Sequence, residues 1–128
     1  MKVSYIVTVY NKASYLPFVI DGLSRQEGEF DKEYIFVDDG STDNSVEVLM
    51  KCTKTLPGPV EIIEQANSGP AVASNNGFAA SSGELIKFVD GDDVLLPWAT
   101  RVLIGTMQTG GHVYAFGIDP VPIDFSTI

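Results

Sequence analysis

The sequence predicts an α/β fold, an open and mostly parallel sheet flanked by helices. Three observations carry that expectation. Short apolar, β-branched runs alternate with segments of helical periodicity. The runs are apolar at nearly every position, as strands buried on both faces are. Polar turn residues then collect at the downstream end of each run.

Val3 to Val9 is the first such run and predicts a buried parallel strand. After Asn11 and Ser14, the latter a suitable N-cap, Leu16, Val19, Ile20 and Leu23 fall at i, i+3, i+4 and i+7 with Pro17 in the first turn. That spacing is an amphipathic helix. Glu27 to Lys32 reads as a polar loop. Tyr34 to Val37 predicts a second strand running into Asp38-Asp39-Gly40-Ser41-Thr42-Asp43, and Val46, Leu49 and Met50 mark a helix closed by Leu56-Pro57-Gly58-Pro59.

Val60 to Ile63 predicts the third strand. Ser68-Gly69-Pro70 opens a helix of small residues through Ala71, Val72, Phe78 and Ala79, with Gly83 placed to end it. Leu85 to Val89 predicts the fourth strand, ending in Asp90-Gly91-Asp92-Asp93. Pro97 starts a last helix through Ala99, Val102, Leu103 and Met107, and Gly110-Gly111 stops it. His112 then precedes a fifth apolar run, Val113 to Phe116. Residues 117–128, with Pro120 and Pro122, read as an extended tail, as in a chain cut before its architecture finishes. No repeat or linker divides the chain, so residues 1–128 are expected to form one domain.

At 128 residues, folding removes roughly two-thirds of the unfolded chain's surface from water, enough for an independent core. Eight basic against seventeen acidic residues give a formal charge of −9, which leaves no field to hold a nucleic acid backbone. An acidic protein that binds a phosphorylated ligand needs a cation between its carboxylates and the phosphate. The single cysteine, Cys52, excludes an intrachain disulfide and a multi-cysteine zinc site, and reads as a small buried hydrophobe. No run is long enough for a membrane span or signal segment, so a cytoplasmic protein with room for peripheral membrane contact is expected.

In open α/β sheets, ligands lie beyond the carboxyl ends of the strands, where strand order reverses. Thr8, Tyr10 and Asn11 end the first strand, Asp38 and Asp39 end the second, Glu64, Gln65 and Asn67 follow the third, and Asp90, Asp92 and Asp93 end the fourth. One rim therefore gathers the unusual polar residues. On the tetrapeptide Asp90 to Asp93 alone, two readings stand level: a divalent-cation site, or a solvated turn capping the helix at Pro97. A calcium loop of the helix-loop-helix kind is excluded by Val94 and Leu95, where it needs an oxygen ligand and a glycine.

Ser41 and Asp43 read as helix caps, whereas Asp38 and Asp39 are better placed toward a ligand. Asn75 and Asn76, poor helix formers in a helix of small residues, are expected to bond something specific. No G-x-G and no phosphate loop of the G-x-x-x-x-G-K-[ST] kind occurs, and one histidine excludes H-E-x-x-H zinc chemistry.

Tyr5 to Asn11, Val37 to Asp43, Asn67-Ser-Gly69 through Asn75, and Val89 to Asp93 followed by Pro97 form an ordered set over almost the whole chain. In order and spacing that set resembles the inverting family 2 glycosyltransferases of the GT-A fold, a Rossmann-like architecture. The resemblance implies binding of a nucleotide-sugar, typically a UDP-sugar, with Mn²⁺ or Mg²⁺, and transfer of the sugar to a saccharide or lipid-linked acceptor. It also implies a setting in cell-envelope polysaccharide or glycolipid assembly.

By position in the resemblance, Thr8, Tyr10 and Asp39 would meet the uracil and ribose, with Asp38 supporting that loop and Asn75 completing the nucleotide set. Asp90 and Asp92 would contact the ribose or sugar, and Asp92 and Asp93 the metal. The sequence departs from the family pattern twice. The catalytic base is expected downstream of the chain end, since Asp119 and Asp124 match no base motif, so the chain would hold the donor-binding half. Ser74 also stands where many members carry an arginine. Two other readings are a phosphoacceptor receiver domain and a non-catalytic nucleotide-binding module. The first would need acidic residues after strand one and a phosphorylatable Asp after strand three, where Thr8, Tyr10, Glu64 and Gln65 stand.

Overall fold

In the computed structural model, which describes residues 1–108, a buried first strand organises everything else. The strand β1 (Lys2–Val9) is followed by α1 (Leu16–Ser24), β2 (Asp31–Asp38), α2 (Ser45–Cys52), a short 3₁₀ turn (Thr53–Thr55), β3 (Val60–Glu64), α3 (Pro70–Ala80), β4 (Leu85–Asp90) and α4 (Ala99–Gln108). The apolar run at Val113 to Phe116, His112, Gly110-Gly111, Asp119, Asp124 and the tail 117–128 lie outside the described residues.

The four strands form one sheet in the order β3-β2-β1-β4, and every pairing is parallel. Val3, Tyr5, Ile6 and Val7 are fully buried, as the uninterrupted apolar run required of a strand covered on both faces. On one face Leu16, Val19, Ile20 and Leu23 of α1, with Leu49 of α2, pack against Val3, Tyr5, Val7, Tyr34, Phe36 and Val89. On the other, Ala73 of α3 meets Ile35 and Val37. Gly77 permits that helix to approach, because a Cβ there would lie 2.3 Å from Ile6 Cγ2.

Three local expectations are corrected. The residue preceding α1 is Tyr15 rather than Ser14, and no side chain caps the helix. A tight turn does the work instead, with the Tyr15 and Leu16 N–H groups both donating to Lys12 O and Pro17 removing one orphan donor. Gly83 does not end α3. The chain leaves the helix extended at Ser81, and Gly83 lies where it runs against β1, where an added Cβ would sit 2.5 Å from Ser4 Oγ. Helix α4 begins at Ala99, two residues after Pro97, whose carbonyl is engaged by the Glu27 N–H at 2.8 Å.

The register positions the site. Val9 pairs with Asp38, Thr8 with Asp90, and Asp38 with Glu64, so the carboxyl ends of all four strands finish level. Strand order runs from β1 outward to β2 and β3, then crosses to place β4 on the other side of β1. The point of reversal, between β1 and β4, is where an open α/β sheet leaves a crevice.

Candidate functional site

A cleft of about 460 Å³ opens at that point of reversal. Thr8 at the end of β1 with Tyr10 and Lys12 beyond it, Asp39 after β2, and Asp90 at the end of β4 with Asp92 beyond it line the cleft, together with Asn67 and Gly69. Of the residues expected to meet a nucleotide, the structure brings Thr8, Tyr10, Asp39, Asp90 and Asp92 to one cavity. Asp38 is next to it and turned into the fold. Asn75 lies exposed on α3 and away from the cleft lining. Its neighbour Asn76 does bond something specific, donating from Nδ2 to Gln65 Oε1 at 2.6 Å.

Asp38 is 3% exposed and holds the turn after β2. Its two oxygens accept the Ser41 N–H at 3.0 Å and the Ser41 hydroxyl at 2.6 Å. Ser41 is therefore a strut between loops rather than a helix cap, since its Oγ also accepts the Asn11 N–H at 2.9 Å. Asp43 retains part of the capping role: its Oδ1 accepts the N–H of Ser45, the first residue of α2, while Oδ2 accepts the Ala13 N–H. Burial works against its charged form, but the bonds from Ser45 and Ala13 outweigh it and hold the carboxyl below the usual range.

Asp39 is tied to the loop ahead of α3. Its Oδ1 accepts the Ser68 N–H at 2.7 Å and Gln65 Nε2 at 2.9 Å, and its Oδ2 accepts the Gly69 N–H at 3.1 Å. The Ser68 bond, then the Gln65 bond, keep this carboxyl ionised below the ordinary aspartate range. Gly40, at φ 72°, lets the backbone pass Asn67, whose N atom would be 2.8 Å from an added Cβ. Asp39 thus faces the cleft as a fixed negative acceptor, beside a half-exposed Tyr10 ring that is free to stack.

On the opposite wall stand Asp90 and Asp92; Asp93 does not line the cleft, but its carboxylate oxygen and theirs lie within 4.8 Å of one another. Burial, and then the charges of Asp90 and Asp92, push the Asp93 carboxyl above its usual range. Lys87, buried in β4 beside Tyr5, is pushed below the usual lysine range by burial and partly restored by Asp93. Oxygen-only donors at this spacing fit a hard divalent cation. Asp90 also accepts the Thr8 hydroxyl at 3.4 Å, which joins the β1 and β4 walls.

Two groups escaped the sequence reading. Gln65 and Asn67 were placed on the rim without a role, and both prove to hold Asp39, Asn67 by donating from Nδ2 to its carbonyl. Lys12 carries no role in the sequence reading. Its signal was available: it is the sole basic residue in the polar clusters that follow the four strands.

Fold and site together define an open α/β domain that takes its ligand across a switch point, with an acidic turn suited to a cation. The sequence matches Glycosyl transferase family 2 over residues 4–126, and the chain belongs to that family. Its sheet is the GT-A type. An uncharacterized glycosyltransferase of Nostoc sp., alr2836, is 41% identical over 113 residues, covering 88% of this chain and 35% of that protein. The structure of Staphylococcus aureus TarS 1–349 in complex with UDP-GlcNAc superposes with a TM-score of 0.75 at 28% identity, over 85% of this chain and 32% of that one. A mannosyltransferase of Pyrobaculum calidifontis, in complex with GDP-Man and Mn²⁺, gives a TM-score of 0.68 at 27% identity, over 73% of this chain and 28% of that one. The chain thus spans about a third of the length of these proteins. Family membership does not favour the receiver-domain reading. No helix among the described residues is long and apolar enough to cross a membrane.

Proposed function

We propose that this chain binds a UDP-sugar and serves transfer of its sugar, with inversion, to a hydroxyl of a saccharide or lipid-linked acceptor. The observation that carries the reading is the pairing of two walls in one cleft. Thr8, Tyr10 and the fixed carboxylate of Asp39 stand on one side and Asp90 and Asp92 on the other, with Asp93 behind them in the same acidic turn. The likeness to a structure that holds UDP-GlcNAc supports the choice of uridine.

In this reading Asp39 accepts from the base, Tyr10 stacks on it and Thr8 borders the ribose. Asp38 acts by holding the turn that carries Asp39. Asp90 and Asp92 meet the ribose or sugar, and Asp92 and Asp93 would hold Mn²⁺ or Mg²⁺. Such a cation, when bound, offsets the charge that develops on the departing diphosphate. An acidic domain can then accept an anionic donor, and a site on the cytoplasmic face of a membrane suits a lipid-linked acceptor.

The test is calorimetric. Asp93→Asn is expected to weaken UDP binding in Mn²⁺ by about tenfold or more while leaving uridine binding intact. Asp39→Asn is expected to weaken both. Unchanged UDP affinity in both folded variants would move the site elsewhere.

A further inference from the structure

The loop after β1 is built with more constraint than a connection needs, and what it aims is Lys12. Asn11 adopts φ 51°, a left-handed backbone that asparagine tolerates better than most side chains and that its surroundings fix. The Asn11 N–H donates to Ser41 Oγ, and Asn11 Oδ1 accepts the N–H groups of Thr42 at 2.7 Å and Asp43 at 3.3 Å. The Lys12 N–H donates to Ser45 Oγ at 3.1 Å, and Ser45 is held in turn by Asp43. Both residues are locked to the loop between β2 and α2.

From that anchor the lysine stem runs over Gly91, where an added Cβ would lie 3.2 Å from Lys12 Cγ. The ammonium then reaches Asp92 Oδ2 at 3.1 Å. Among the described residues that line the cleft, Lys12 is the only cation. It stands in a chain of net charge −9. The pair with Asp92 is exposed on both sides, at 35% and 42%, and pairs of that kind are worth little and break readily.

We propose that Lys12 binds the donor's diphosphate, giving up Asp92 for the phosphate oxygens when a divalent cation takes over the charge of the acidic turn. This rests on the reading of the cleft as a nucleoside-diphosphate site. A flexible ammonium pinned at its base suits two successive partners, since its stem can swing while its root stays fixed. The same contact makes Lys12 and a cation competitors for Asp92 before any nucleotide arrives.

Three proteins test it: the unaltered 128-residue chain, Lys12→Met and Lys12→Arg. Each is titrated by calorimetry with UDP and with uridine in saturating Mn²⁺, and with Mn²⁺ alone followed by electron paramagnetic resonance. Lys12→Met is expected to lose about tenfold or more in UDP affinity and none in uridine affinity, with Lys12→Arg recovering most of the loss. Mn²⁺ alone is expected to bind Lys12→Met at least as tightly as the unaltered chain. Equal losses for UDP and uridine, or no loss for UDP, overturn the proposal while the donor-site reading stands. An unaltered chain that binds no UDP overturns both.

Discussion

At the scale of single residues, the contrast between two stacked tyrosines shows how the fold settles a polar group. Tyr5 and Tyr34 lie ring on ring, 5.4 Å apart and 11° from parallel, in the core between the sheet and α1. The Tyr5 hydroxyl shares a hydrogen bond with Thr100 Oγ1, and burial, eased by that bond, moves its pKa up to about 12. The Tyr34 hydroxyl is buried without a hydrogen-bond partner among the described residues. Loss of an unsatisfied hydroxyl removes a desolvation cost, whereas loss of a paired one forfeits a buried hydrogen bond. Tyr34→Phe is therefore expected to be neutral or to stabilise by about 1 kcal/mol, and Tyr5→Phe to destabilise by about 1 kcal/mol, as read from urea unfolding. Equal losses in both would contradict this account. The same scale explains what the sequence could not disclose. Asp39 and Asp92 were legible as strand-end carboxylates, but that Gln65 and Asn67 grip the first and Lys12 the second depends on side chains 26 to 80 positions apart.

At the scale of elements, each helix holds its place by a small number of close approaches. Gly77 is the tightest. Its absent Cβ would sit 2.3 Å from Ile6 Cγ2 and 3.2 Å from Val37 Cγ2, both on fully packed strands. Gly77→Ala gains helix propensity but must displace α3 from the sheet, so a net loss of about 1–3 kcal/mol is expected in chemical unfolding. A gain in stability would mean that α3 sits more loosely than the geometry requires. Apolar runs and 3.6-residue spacing made these elements legible, because burial on one or two faces dictates them directly. The ends were less so. Asp31 and Lys32 fall in the Glu27 to Lys32 stretch that reads as loop by composition, yet with Glu33 they pair with Lys2-Val3-Ser4, and Glu33 is held by Ser4 and Ser82. Gly83 reads as a helix terminator for a similar reason: its need for space comes from β1, some eighty positions earlier in the chain.

At the scale of the molecule, charge is the controlling quantity. The chain carries −9 overall, and three carboxylates of the fourth-strand turn lie within 4.8 Å. Asp93 has its pKa raised by burial and by Asp90 and Asp92. The folded state therefore holds its proton more tightly than the unfolded chain does. Between the ordinary aspartate value and the raised one, stability falls as pH rises, and the cost persists at higher pH. A cation that binds only the folded turn offsets this cost. Mn²⁺ is expected to raise Tm, with an increment that grows from pH 4 to pH 7 and that EDTA abolishes. An increment that does not depend on pH would separate cation binding from the Asp90-Asp92-Asp93 turn.

The most direct test of the central claim, that the switch-point cleft is a cation-assisted uridine diphosphate site, is a calorimetric titration of the chain with UDP in Mn²⁺, repeated in excess EDTA and with GDP. The account predicts saturable UDP binding that EDTA weakens strongly and that GDP does not match. Binding of UDP and GDP alike, or UDP binding indifferent to EDTA, would contradict it.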